Sequence, residues 1–241
     1  MKLALLSDIH GNLEALEAVL ADVATCKPDA MACLGDFVGY GASPNECIER
    51  LVPMIEAAVV GNHDAAALGK LKLGGFQTDA ATAARWTAEQ LTPEHLAYLD
   101  GLPYSIVWHD HRLVHATPSE PEEWHYVFSI ADARLEFGTY RERMGFIGHS
   151  HVPGVFESDG AKIAYLRTPE VELRAGRRYL VNVGSVGQPR DGDPRAAWLL
   201  LDSDDDRLEH RRVDYDIERA ATRIRDAGLP PFLAERLKWG E

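Results

Sequence analysis

No apolar run in this chain is long enough to cross a membrane. Its first one, Leu3-Ala4-Leu5-Leu6, is cut off by Asp8 and is too short for a signal-peptide core. The expected compartment is therefore the cytoplasm, with no membrane partner. Cysteine is scarce: only Cys26, Cys33 and Cys47, with no CxxC spacing. That excludes a disulfide frame and a thiolate zinc site. Positive charge is also short, 25 Lys and Arg against 38 Asp and Glu, for a net charge of −13. A surface of that sign repels polyanions, which argues against bulk nucleic-acid binding and against a nuclease. A small phosphorylated substrate stays open, because bound dications reverse the sign locally. Repeats, low-complexity segments and obvious linkers are missing too, so residues 1–241 read as a single α/β domain. Nothing in the sequence speaks to oligomeric state.

What is present is a series of short apolar strands, each ending in a polar residue. The first ends in Asp8-Ile9-His10-Gly11-Asn12, a carboxylate and an imidazole two positions apart. In extended backbone, residues i and i+2 point the same way, so both side chains would reach one point. Asn12 can cap the helix that follows, which has Leu13, Leu16, Val19, Leu20 and Val23 at helical spacing and ends at Lys27-Pro28. A second strand, Ala30–Leu34, stops at Gly35-Asp36. Ser43-Pro44 starts another helix, with a kink expected at Pro53. A third strand, Ala57–Val60, stops at Gly61-Asn62-His63-Asp64. This β-α-β-α-β order implies a parallel sheet.

Residues 64–100 read as helical, with His95 a packing residue inside the last helix. His109-Asp110-His111 reads as a hairpin turn between two strands, the second ending at His115. Residues 116–144 are irregular and then helical, the expected cap or lid. Gly145-Phe146-Ile147 ends in Gly148-His149-Ser150-His151. Alternating strands follow to about Asp214, and two helices over 217–239 close the chain. The second half thus supplies a second sheet, giving a helix/sheet/sheet/helix sandwich.

Five of the ten histidines (10, 63, 115, 149 and 151) follow directly after strands, beside Asp8, Asp36 and Asn62. Parallel strands of one sheet would present those ends along one edge. Mixed carboxylate, imidazole and amide oxygen suits Mn²⁺, Fe²⁺, Co²⁺, Ni²⁺ or Zn²⁺. The set is too large for one tetrahedral zinc and suits two cations about 3.5–4 Å apart, bridged by a carboxylate. Tyr40, Arg190 and Arg195 are candidates for substrate contact, since an arginine fork donates two hydrogen bonds to phosphate. Asn12 is a further candidate. Asp191 and Asp193 offer these arginines a simpler role, locking their own loop.

In order, DxHGN, GD, GNHD, a later His and GHxH resemble the calcineurin-like metallophosphoesterase superfamily. The stretch Gly184–Arg195 resembles its bacterial predicted phosphodiesterases, and the resemblance runs to about residue 202. It implies a four-layer α/β/β/α sandwich of two mixed sheets flanked by helices. It implies that Asp8, His10, Asp36 and His151 hold one cation, and that Asn62, His115 and His149 hold a second. Asp36 would bridge, and His63 would stay unligated beside the phosphate as the catalytic acid. Two divalent ions, manganese first, would bind, and a bridging hydroxide would attack small phosphomonoesters or phosphodiesters, nucleotides among them. The chain departs from the family at Gly35-Asp36-Phe37-Val38-Gly39-Tyr40, where the phosphoprotein-phosphatase branch carries GDxVDRG. That argues against a phosphoprotein substrate and leaves the partner of His63 open. A non-catalytic scaffold of the same fold is the alternative, though such proteins tend to lose the histidine that here is His63.

Overall fold

The structure is a computed structural model describing residues Met1–Glu241. Two six-stranded mixed sheets lie face to face between helices. The first sheet starts with β1 (Lys2–Leu6), α1 (Leu13–Cys26), β2 (Ala30–Cys33), α2 (Pro44–Leu51) and β3 (Ala57–Ala58). Next come α3 (Asn62–Ala67), α4 (Thr78–Gln90) and α5 (Pro93–Asp100), and then the hairpin β4 (Ser105–Trp108) and β5 (His111–Val114). The chain continues through α6 (Ile130–Glu136), β6 (Met144–Ile147), β7 (Gly154–Ser158), β8 (Ile163–Leu166) and β9 (Glu170–Glu172). It finishes with β10 (Arg178–Asn182), β11 (Ala196–Asp202), β12 (Arg207–Val213), α7 (Ile217–Asp226) and α8 (Pro231–Glu235).

Strand order is β3-β2-β1-β11-β12-β9 in one sheet and β4-β5-β6-β10-β7-β8 in the other. β1 runs parallel to β2 and antiparallel to β11. Period-2 alternation explains the layering. Leu3 and Leu5 face the second sheet, packing with Phe146, Tyr179 and Val181. Ala4 and Leu6 face the helices, packing with Leu16, Val19, Ile48 and Trp198. On the far side α6 covers the second sheet through Ala133 and Phe137 against Ile147, Phe156 and Leu180. No helix is long and apolar enough to cross a membrane.

Local sequence chemistry sets the ends of these elements. Asn12 Oδ1 accepts from the Ala15 N–H at 3.1 Å, and Lys27 ends α1 at φ 49° ahead of Pro28. The kink expected at Pro53 is instead an end: α2 stops at Leu51 and passes into a 3-10 turn, Val52–Met54. The third strand is Ala57–Ala58, shorter than the expected Ala57–Val60; beyond it the Val59 N–H still bonds the Cys33 carbonyl and the Val60 N–H bonds the Pro103 carbonyl on the open edge. The larger correction concerns the sheet edge. Asp8, Asp36 and Asn62 follow strands of the first sheet, but His115, His149 and His151 follow strands of the second. The polar residues therefore meet from two sheets across the sandwich.

Candidate metal centre

Asp8, His10, Asp36, Asn62, His63, His115, His149 and His151 are all buried where the two sheets' strand ends meet. Extended-strand alternation is not what aims them. Asp8, His10, Asp36, His149 and His151 all hold left-handed backbone, with φ between 51° and 64°. Non-glycine residues there cost about 1–3 kcal/mol each and persist only where the surroundings impose them. The surroundings here are tight: a Cβ on Gly61 would overlap the Asp36 carboxylate. The loops are also stitched together, with the His10 N–H bonded to Asp36 O and the Val186 N–H to Ser7 O.

Each carboxylate has one oxygen bonded and one free. Asp8 Oδ2 accepts from the His149 N–H at 3.1 Å, and Asp36 Oδ1 from the His63 N–H at 2.8 Å. Asp8 Oδ1 and Asp36 Oδ2 are buried with no donor. Three imidazoles are fixed from behind: Nδ1 of His10, His115 and His151 bonds the carbonyls of Val38, Leu34 and Gln188. With the Nδ1 proton on the carbonyl side, each Nε2 lone pair faces inward, the orientation found at metal sites. The result is acceptors facing acceptors. His151 Nε2 stands 3.0 Å from Asp8 Oδ1 and 3.1 Å from His10 Nε2. Ligands of a single cation at about 2.1 Å lie about that far apart. A cation between them satisfies such a cluster, so the donor set fits the divalent ions expected from the sequence.

Three sets of ligand atoms lie within 4.8 Å of one another: Asp8, His10 and His151; Asp8, Asp36 and His115; and His10, Asp36 and His63. Asn62 Oδ1 joins the second, 3.2 Å from His115 Nε2. His149 lies beside that set, its ring 5.1 Å from His115, with Nε2 bonded to the Trp124 carbonyl, which leaves Nδ1 free. Burial opposes both carboxylates' ionisation, but the imidazoles outweigh it: His151 and His10 pull Asp8 well below its ordinary range, and His115 and His63 lower Asp36. Burial brings His149 down to about 4 and, with Arg190, His151 down to about 3. Burial alone would lower His115 as well, but Asp36 and Asp8 push it up to about 9.

His63 is the second residue of α3, and its ring is held by Tyr40 at 4.3 Å and Phe76 at 5.1 Å. Its Nδ1 is buried without a partner. Asp64 does not orient it. That carboxylate turns back to accept from the N–H groups of Asp36, Val38 and Gly61, tying two strand-end loops. Arg190 reaches Tyr40 Oη and Gln188 Oε1, both at 3.0 Å. Arg195 is drawn to Asp193 in its own loop. Both ends of the Asn12 amide are engaged, one capping α1 and the other donating to the Gly187 carbonyl. His95 bonds Asn45, His109 lies in the β4–β5 turn and His111 begins β5, none of them in the cluster.

A pocket of about 770 Å³ opens from Asn62, His63 and His149. The stretch after residue 116 forms one wall, where Tyr126 stacks on His149 at 4.1 Å. The opposite wall holds Phe232 and Arg236, which no sequence signal marked. Their place depends on the chain's last turn folding back onto Tyr40, a contact between residues far apart in sequence.

The calcineurin-like phosphoesterase superfamily domain matches residues 1–206. An uncharacterized protein of Methanocaldococcus jannaschii is 41% identical over 243 residues, covering 99% of this chain and 98% of its own. A metallophosphoesterase of Sphaerobacter thermophilus, known as a crystal structure, is 38% identical, with full coverage of both chains and a TM-score of 0.90. A hypothetical protein of Pyrococcus horikoshii, 20% identical with coverage of 100% and 98%, shares the fold at a TM-score of 0.81.

Proposed function

Because the chain belongs to the calcineurin-like phosphoesterase superfamily, we propose that it is a hydrolase of small phosphomonoesters or phosphodiesters working with two divalent cations, manganese first. One observation carries this reading. Asp8 Oδ1, Asp36 Oδ2 and inward imidazole nitrogens converge in a buried site, where neither carboxylate oxygen has a hydrogen-bond partner. Asp8, His10, Asp36 and His151 would hold one cation, and Asn62, His115 and His149 the other, with Asp36 contributing to both. When bound, such ions acidify water and neutralise phosphoryl charge. The chain's own residues do the rest. His115 gives up its proton when the ligands engage, as metal ligation requires. His63 faces the leaving-group oxygen and supplies its proton. Burial disfavours its charged form, so it takes a proton from solvent only as the anionic substrate arrives, and passes it to the leaving oxygen. Arg190 lines the same pocket and is a candidate for contact with the substrate.

The test is manganese-loaded protein against a panel of nitrophenyl and alkyl monoesters and diesters, with Asp36→Asn alongside. The expected result is turnover that is abolished by chelation and falls at least about 100-fold in the variant, since even groups that only orient a metal ligand cost up to that much. No turnover of any ester with both cations bound would replace this reading with a binding protein.

A further inference from the structure

We infer that Arg190 and Arg236 form a second anion subsite beside the cation centre, so that the substrate is a phosphate ester whose alcohol carries a further phosphoryl or carboxylate group. This rests on the phosphoesterase reading for the reaction, and it specifies which ester enters.

The pocket has room for more than a phosphate, being within the usual range for whole small molecules. Two guanidinium groups approach the same ring: Arg190 Cζ lies 5.5 Å from the Tyr40 centroid and Arg236 Cζ 5.8 Å. Arg190 forms no ion pair, although the chain carries 38 Asp and Glu. Arg190 reaches only a hydroxyl and an amide oxygen, and its Nε is buried with no partner. The Arg236 Nε–H is taken by a main-chain carboxylate oxygen of Glu241 at 2.5 Å, which leaves the far edge of its fork for a second anion. Burial and the Arg190 charge hold Arg236 below the ordinary arginine range. An anion between the two would remove that repulsion and satisfy the orphaned N–H. Asp79 and Glu123 also line the pocket, so the anion-holding region is confined to the arginine end. Phe76 and Phe232 give an apolar strip for the carbon skeleton. Arg236 and Phe232 lie beyond the residues 1–206 that match the superfamily domain, so this wall is added to the shared chemistry and is placed to set preference.

The test compares propyl phosphate with propane-1,3-diol bisphosphate and with 3-phosphooxypropanoate, in wild type, Arg236→Gln, Arg236→Lys and Arg85→Gln. The last removes the same charge from the exposed face of α4. In Arg236→Gln the kcat/KM advantage of the doubly anionic esters should fall about tenfold, the scale of one charge-assisted hydrogen bond. Arg236→Lys, which keeps the stem and loses the fork, should recover part of it, and Arg85→Gln should leave it unchanged. A larger fall with the bisphosphate identifies the second group as phosphoryl, and a larger fall with the carboxylate identifies it as carboxyl. Calorimetry of inorganic pyrophosphate binding to the metal-free protein gives a readout that does not need turnover. If no ester is hydrolysed, the reaction assignment fails, while a tenfold weaker pyrophosphate affinity in Arg236→Gln still supports the subsite. Equal advantage and equal affinity in wild type and both Arg236 variants would overturn it.

Discussion

His63 differs from its neighbours in having no hydrogen bond behind its ring. Aromatic contacts from Tyr40 and Phe76 fix its position, and its Nδ1 is unsatisfied. If it delivers the leaving-group proton, His63→Ala should cost about 100-fold or more on alkyl esters, the range of general acid catalysis. On nitrophenyl esters, whose leaving group needs no proton, the loss should stay under about tenfold on the same reasoning. Equal losses, compared as kcat on the two substrates, would remove the acid role. His210 makes a separate prediction. Burial lowers it to about 4, against its bond to the Asn182 carbonyl. Its folded value lies below the unfolded one, so the unfolded chain gains the proton first as pH falls. Its share of stability is intact above about 6.5 and drains between there and about 4. His210→Gln should therefore lose about 2 kcal/mol less than wild type between pH 7.5 and pH 5, read by urea unfolding at each pH.

At the scale of elements, the loops after the strands matter more than the strands. Asp64 binds three backbone N–H groups from two of those loops. Asp64→Ala would leave them buried without partners, at a cost of about 3 kcal/mol or more. It should also weaken manganese binding about 10- to 100-fold without touching a ligand, as calorimetry would show. Unchanged metal affinity would mean the loops hold without it. The strands themselves were legible in the sequence, because apolar runs ending at Asp8, Asp36 and His115 leave little else to read. What was not legible is the backbone that aims the ligands. The i, i+2 rule suggested extended chain for Asp8 and His10, yet both are left-handed, a conformation that Asp and His tolerate better than most residues but that the apolar-strand pattern does not mark. The role of Asp64 was hidden similarly, since its partners lie 26 and 28 positions away.

For the whole molecule, the centre joins two sheets, so its occupancy should act on global stability. A ligand present at 100 times its dissociation constant adds about 2.7 kcal/mol. For a chain of this size that raises the melting temperature by roughly 5–10 °C. Differential scanning calorimetry with manganese, then with excess chelator, should show that rise and its reversal, and an unchanged melting temperature would argue against the cation centre. The four layers were legible from the family resemblance, but the second half does not by itself supply the second sheet: β9, β11 and β12 join the first, and β4 and β5 belong to the second. The division of the ligands between two sheets, and the Phe232–Arg236 wall, were not legible, since both depend on how distant segments dock.

β1 lies inside its sheet, between β2 and β11, although it is the first strand of the chain. On a ribosome, one side of that strand waits for Ala196 and the residues after it, roughly 10–40 seconds at 5–20 residues per second. The nascent chain therefore carries an open, apolar strand edge through most of its synthesis, the condition under which chaperone dependence and mispairing arise.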